Sequence, residues 1–286
     1  MLDGDFRADS FLNNKILNNE IPRKRGEKYR MNLSGKVALV TGGAQRAGRF
    51  FSLALARAGA DIVMNYLGTE EDAQKTKSEI ESLNRRCLPI EADITEIKQI
   101  NRMITEIEKE FNRLDILIHN ASNYNQCPFM EVTEEIWESS FGVNLKGPFF
   151  LSQAAAKLML KNGSGRIIAL IGNTYYENRP DFIPHIIAKT GLAKLIQSLA
   201  VTLSPSIQCN AICPATFYPS EKGQTEHAMK ERGEEFIDQG KYIKMRGVKI
   251  YKGNPEEVAE LIVYLAGCSD YLNGAVIPID GGKHLP

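Results

Sequence analysis

The chain has no stretch approaching the roughly twenty consecutive apolar residues of a membrane helix, and its first residues lack the apolar core of an export signal. A soluble, unexported protein with no membrane partner is the expectation. Cysteine is scarce and scattered: the five are Cys87, Cys127, Cys209, Cys213 and Cys268. An odd number without CxxC or Cys/His ligand spacing argues against a disulfide framework and against a metal site, and fits a reducing cytoplasm. Charge of neither sign is in excess. With 35 basic and 35 acidic residues the formal net charge is +0, so no long-range field favours nucleic acid or an anionic surface.

What the chain does have is enough apolar material for one large core, 43% hydrophobic against 24% charged residues over 286 positions. The core belongs to residues 31–286. Residues 1–30 are polar, rich in Asn, Arg and Lys (Arg23-Lys24-Arg25 among them), and follow no period, which predicts a flexible solvated tail. Met31 stands directly before the first strand, so it is a candidate start of the biological chain.

From residue 36 strand and helix patterns alternate. Short apolar runs of the buried-strand type fall at 37–40, 62–65, 87–91, 116–119, 166–171, 208–212 and 275–279. Helical patterns lie between them: one carrying Phe50 to Ala58, then 69–83, 96–111, 134–160 through a continuous stretch, 186–203 and 255–266. Seven strands interleaved with helices predict an α/β Rossmann fold, a single domain with a doubly wound seven-stranded parallel sheet. Asn254-Pro255-Glu256-Glu257 is a helix start, with Asn as N-cap, Pro at the first position and Glu at the third. Residues 217–252 are charged and weakly patterned, which predicts a mobile segment over the site.

The turn after the first strand reads Thr41-Gly42-Gly43-Ala44-Gln45-Arg46-Ala47-Gly48. Glycines there permit a tight turn and close approach of a pyrophosphate, whose charge a helix N-terminus stabilises. Taken by itself the turn is a weak signal, since a glycine-softened turn reads the same way. It does not stand by itself. Asp93-Ile94 follow the third strand, His119-Asn120-Ala121-Ser122 the fourth, and Asn144 lies in Val-Asn-Leu-Lys-Gly; Lys189 lies in Ala-Lys-Thr-Gly-Leu, and Ile-Asp-Gly-Gly closes the last strand. With these motifs the chain resembles the short-chain dehydrogenase/reductase family from about residue 33 onward.

Within that family it is most similar to pteridine reductases, which carry Arg at the position of Arg46 and Asn-Ala-Ser as at 120–122. The resemblance implies NADP(H), with Arg46 near the adenosine 2′-phosphate. The residues agree. An NAD enzyme has an acid after the second strand, where this chain has Tyr66. The resemblance further assigns Gly42, Gln45, Arg46, Ala47, Tyr66, Asp93, Ile94, Asn120, Ala121, Ser122, Lys189, Pro214 and Ala215 to cofactor binding.

The family's usual tetrad is Asn, Ser, Tyr and Lys, with Asp for Ser in pteridine reductases. Asn144 and Lys189 match. The tyrosine position, one helical turn before Lys189, is His185, and the Ser/Asp position is Gly172. Three readings stay open. His185 is the general acid, with an ordinary pKa near 6.5 that the Lys189 charge would depress. Or another group donates, Tyr175, Tyr176 and Tyr218 being candidates. Or the chain binds cofactor or a partner as a non-catalytic subunit or does non-redox chemistry. Ala215, where the family usually has glycine after the proline, would cost about 1 kcal/mol if that backbone needed φ above zero. The implied substrate is a small molecule with a carbonyl or imine, pterin-like or ketone. The patterns 134–160 and 186–203 resemble the helices of family tetramers and predict a homo-oligomer, tetramer or dimer, with a hetero-oligomer as alternative.

Overall fold

Runs such as Val37-Ala38-Leu39-Val40, apolar at every position, can only be satisfied where both faces of a sheet are covered, and that is where they lie. In the computed structural model, which describes residues 31–215, 235–237, 241–245 and 247–285, they form β1 (Val37–Val40), β2 (Asp61–Tyr66), β3 (Cys87–Glu91), β4 (Ile116–His119), β5 (Gly165–Leu170), β6 (Ile207–Pro214) and, last in the chain, β10 (Val276–Ile279). Their order across the sheet is β10-β6-β5-β4-β1-β2-β3, every pairing parallel. The order reverses between β1 and β4, and the crevice beyond their C-terminal ends is where such sheets bind ligands. The single-domain α/β fold with a seven-stranded parallel sheet is therefore as expected.

Helices cover both faces. One face carries α1 (Arg46–Arg57), α2 (Glu70–Glu81) and α7 (Pro255–Gly267), packed through Phe51, Leu55, Ile80, Ile262 and Leu265. The other carries α3 (Ile97–Phe111), α4 (Glu134–Phe141), α5 (Gly147–Lys161) and α6 (Ile183–Thr202); Ile100, Met103, Leu151, Leu192 and Ile196 sit in its core. The predicted start of α7 is realised in full: Asn254 Oδ1 accepts from the Glu257 N–H and Glu257 returns the bond to the Asn254 N–H, both at 2.9 Å. The tail expected over residues 1–30 lies outside the described residues.

Two expectations are corrected. The continuous helix over 134–160 is interrupted by a π-helical turn, Gly142–Lys146, that separates α4 from α5. Apolar periodicity runs on across it, so the sequence pattern conceals the break. In 217–252, where a mobile segment and no strand was expected, the described residues hold a small antiparallel sheet with order β7-β8-β9: β7 (Glu235–Ile237), β8 (Tyr242–Met245) and β9 (Val248–Tyr251). Ile243, Met245 and Ile250 form its own small core. Three- and four-residue strands between charged positions are too short for a period to emerge.

Candidate active site

The first turn of the sheet is built around close approach. Gly42 has φ +59, and a Cβ on Gly48 would lie 1.9 Å from the Gly42 carbonyl oxygen and 2.7 Å from Asn120 Nδ2. Only glycine fits there. Thr41 Oγ1 donates to Ile118 O and accepts from the amides of Asn120 and Ala121, and Asn120 Nδ2 donates to Thr41 O at 2.8 Å. The turn is thereby locked to the end of β4. At the start of α1 no side chain caps the free N–H groups, and no acid lies in the first turn. An open, positive helix end beside a glycine turn fits a pyrophosphate.

A groove of about 460 Å³ runs from this turn across the sheet. Of the sequence-predicted cofactor residues, Gly42, Gln45, Arg46, Ala47, Tyr66, Asp93, Ile94, Asn120, Ala121 and Ser122 all line it, joined by Gly48, Asn65, Leu67, Thr69, Asn123 and Val143. Arg46 is exposed at the groove and has φ +50, left-handed backbone that is strained for a residue other than glycine. Asp93 is its one carboxylate, and one Asp93 oxygen already accepts from the Thr95 N–H at 2.8 Å.

Pro214 ends β6, and Ala215 follows it, lining a separate cavity of about 190 Å³ with Ile243, Ile250 and Tyr251. Ala215 does not adopt a positive φ; among described non-glycine residues only Arg46, Asn84 and Asn112 do. The penalty expected for alanine there does not arise.

The π-turn delivers Asn144. An extra residue in the helical turn aims its side chain inward, fully buried, where Nδ2 donates to Asn123 Oδ1 at 2.7 Å and to Ser140 O at 3.0 Å while Oδ1 accepts from Ser122 Oγ at 2.7 Å. On α6, His185 and Lys189 lie one turn apart and both are buried. Lys189 Nζ donates to Leu170 O at 2.8 Å, and burial pushes its pKa down to about 8. His185 Nδ1 lies 2.9 Å from the Asn123 carbonyl oxygen. A carbonyl only accepts, so Nδ1 carries the proton and Nε2 carries a lone pair. Burial first, then the Lys189 charge, push the His185 pKa down to about 4, against the Asn123 bond. At neutral pH the ring is an acceptor.

Around His185 the loops after β4 and β5 are tied together. Tyr124 packs edge-on to the imidazole, 4.8 Å between centroids, and stacks on Phe182. Its hydroxyl accepts from Arg179 Nη1 at 2.7 Å, and Arg179 also donates twice to Glu177. Asn123, Tyr124 and Arg179 were not found from the sequence, because loop residues that meet across the fold share no spacing. Of the candidate donors, Tyr175 is partly buried and Tyr176 leans on His284, with centroids 4.7 Å apart; Tyr218 lies outside the described residues. Gly172 has φ +91 in nearly open space.

Comparison with known proteins agrees with this geometry. Residues 36–230 match the family described as short chain dehydrogenase. The chain is 30% identical over 262 residues to an L-rhamnose 1-dehydrogenase (NAD(P)(+)) of a Sphingomonas species, covering 88% of this chain and 98% of that protein. It is 30% identical to a 3-oxoacyl-[acyl-carrier-protein] reductase of Synechocystis, covering 87% and 97%. A crystal structure of a putative short-chain alcohol dehydrogenase from Sinorhizobium meliloti superposes with a TM-score of 0.77 at 31% identity, over 88% of this chain and 97% of that one. A glycine turn locked to the sheet, a groove at the topological switch and a buried lysine on α6 are thus accounted for together: the chain belongs to the short-chain dehydrogenase family.

Proposed function

We propose that the protein is an NADP(H)-dependent oxidoreductase that exchanges a hydride between the nicotinamide and a small carbonyl or imine compound or the corresponding alcohol, with Asn144, His185 and Lys189 as its catalytic residues. The observation that carries this reading is the pairing of His185 and Lys189, buried one turn apart on α6 beside a groove whose phosphate turn is complete. A bound nicotinamide would supply the hydride chemistry. Arg46 would take the 2′-phosphate, since a planar guanidinium is the best match for a phosphate and no acid stands at Tyr66.

His185 fixes the direction of proton flow. Its Nε2 lone pair takes the proton of an alcohol under oxidation, and in the reverse direction the imidazolium must first be loaded from solvent. The sugar hydroxyl oxidised by an L-rhamnose 1-dehydrogenase, as the Sphingomonas relative is named, suits the first direction; the pterin-like ring or ketone of the pteridine reductase resemblance suits the second. The family's helix-mediated homo-oligomer, tetramer or dimer, follows from α4, α5 and α6, whose outer faces carry Trp137, Phe149 and Ile187 in exposed positions. No helix among the described residues is long and apolar enough to cross a membrane, and the five cysteines are all free and buried, which supports a cytoplasmic assignment.

The second reading, a cofactor-binding subunit without turnover, draws on the low proton affinity of His185 and the missing side chain at Gly172. Fluorescence titration with NADPH and NADH, followed by isatin reduction and L-rhamnose oxidation assays, separates them. We expect tighter NADPH, oxidation level above about pH 5, and reduction that falls as pH rises. Tight NADPH binding with no turnover in either direction on a wider panel of ketones, pterins and sugars would hand the protein to the second reading.

A further inference from the structure

Gly172 leaves the turn after β5 without a side chain, and the space beside it is not empty of chemistry. A Cβ built on Gly172 would meet one atom within 4 Å, the Thr174 hydroxyl oxygen at 3.7 Å. Thr174 sits in the single 3-10 turn Asn173–Tyr175, is 7% exposed, and its Oγ1 has no hydrogen-bond partner among the described residues. A buried hydroxyl without a partner is destabilising, so a native chain that retains one calls for an explanation. The turn packs against α6, which carries His185 and Lys189, and follows by two residues the Leu170 carbonyl that anchors Lys189.

We propose that Thr174 supplies, from two positions later in the chain, the hydroxyl that Gly172 cannot, donating a hydrogen bond to the oxygen of the bound carbonyl or alcohol. Gly172 has φ +91, and Thr174 Oγ1 lies 3.7 Å from where a residue-172 Cβ would stand. The hydroxyl is held unpartnered until substrate arrives, which keeps its proton available for the substrate oxygen. This rests on the oxidoreductase reading and names the group that orients the substrate within it.

The test is Thr174→Val, which keeps shape and removes the hydroxyl, beside Thr174→Ser, which keeps the hydroxyl. A structural role would make valine destabilising. A substrate-facing role predicts an unchanged or raised melting temperature in the free protein, unchanged NADP+ affinity, about 10-fold weaker isatin binding to the NADP+ complex, and isatin turnover lowered roughly 10- to 100-fold, with serine restoring both. A wild-type protein that turns isatin over, with Thr174→Val equal to it in binding and rate, overturns the inference and leaves the oxidoreductase reading standing. Loss of folding in the valine variant, with serine also inactive, assigns Thr174 to structure and overturns it too. A wild type that binds NADPH but turns over no ketone, pterin or sugar of the wider panel overturns both.

Discussion

Two turns at the C-terminal ends of parallel strands face the same site, and each contains a glycine for a different reason. In the turn after β1, Gly48 is required by space, since a Cβ would sit 1.9 Å from a backbone oxygen. In the turn after β5, Gly172 is required by conformation, with φ +91 and a Cβ position touched only by Thr174 Oγ1 at 3.7 Å. The first turn is saturated with hydrogen bonds from Thr41 and Asn120, whereas Asn173 Oδ1 and Thr174 Oγ1 of the second have none among the described residues. A finished cradle and an unfinished one stand side by side. On the proposal made above, the finished one would hold the cofactor and the unfinished one would meet the substrate.

The sharpest way to break the contrast is to put the same methyl group on both glycines. Gly48→Ala forces the phosphate turn to move, which we expect to destabilise the fold by about 3 kcal/mol or more and to weaken NADPH over 100-fold. Gly172→Ala meets open space and pays only for holding φ +91 and ψ 165, backbone essentially reserved for glycine, roughly 1–3 kcal/mol, with NADPH affinity unchanged. Thermal melts and cofactor titrations of the two variants check this. Equal losses in both would erase the distinction.

The second contrast is in acid. Under the substrate side, His119 bonds Ser152 through Nε2 and is fully buried, and burial with the Lys189 charge pushes its pKa down to about 3; His185 is pushed down to about 4. Both fold as neutral rings and would charge near 6.5 when unfolded. The folded state therefore binds fewer protons, so their contribution is fully present above about pH 6.5 and is lost as pH falls toward 4. His185→Gln should remove roughly 3 kcal/mol of that pH dependence, at about 1.4 kcal/mol per unit. Melting temperatures read from pH 7.5 down to 4.5 in steps of about one unit should fall less steeply in the variant; a parallel course would place the acid sensitivity elsewhere.

How much of this was legible in the sequence follows the same division. The strands and the phosphate turn are written in local pattern, apolar runs bounded by turn residues, and β1, β3 and β4 fall on the residues their runs predict. The turn's glycines carry their reason within eight residues of chain. The substrate side does not. Asn144 is placed by a π-turn that apolar periodicity runs straight through, the His185 tautomer is set by a carbonyl 62 residues away, and the unpartnered hydroxyl of Thr174 shows only in the fold. Asp115 shows the same limit in the scaffold: burial would raise its pKa, but bonds from Arg113 and the Val37 N–H and the Lys36 charge hold it below the ordinary carboxylate range. Partners brought together by the fold leave no mark on spacing.

The smallest effect tests the one flaw in the finished turn. Arg46 has φ +50, a conformation that costs an L-residue roughly 1 kcal/mol and glycine almost nothing. The side chain is exposed, and under the proposed NADP(H) reading the strain is retained for what the guanidinium would do when the groove is filled. Arg46→Gly should then separate two quantities that usually move together. The free fold should gain up to about 1 kcal/mol, part of it offset by the freer unfolded chain, while NADPH should weaken by about 1–3 kcal/mol and NADH hardly at all, as for loss of a charge-assisted phosphate contact. Arg46→Ala removes the charge and keeps the strain, so it should lose NADPH affinity without the gain in stability. Should both cofactors weaken alike in the glycine variant, Arg46 would be shaping the turn and not reading the phosphate, and the preference for NADP(H) would have to come from Tyr66 and its neighbours.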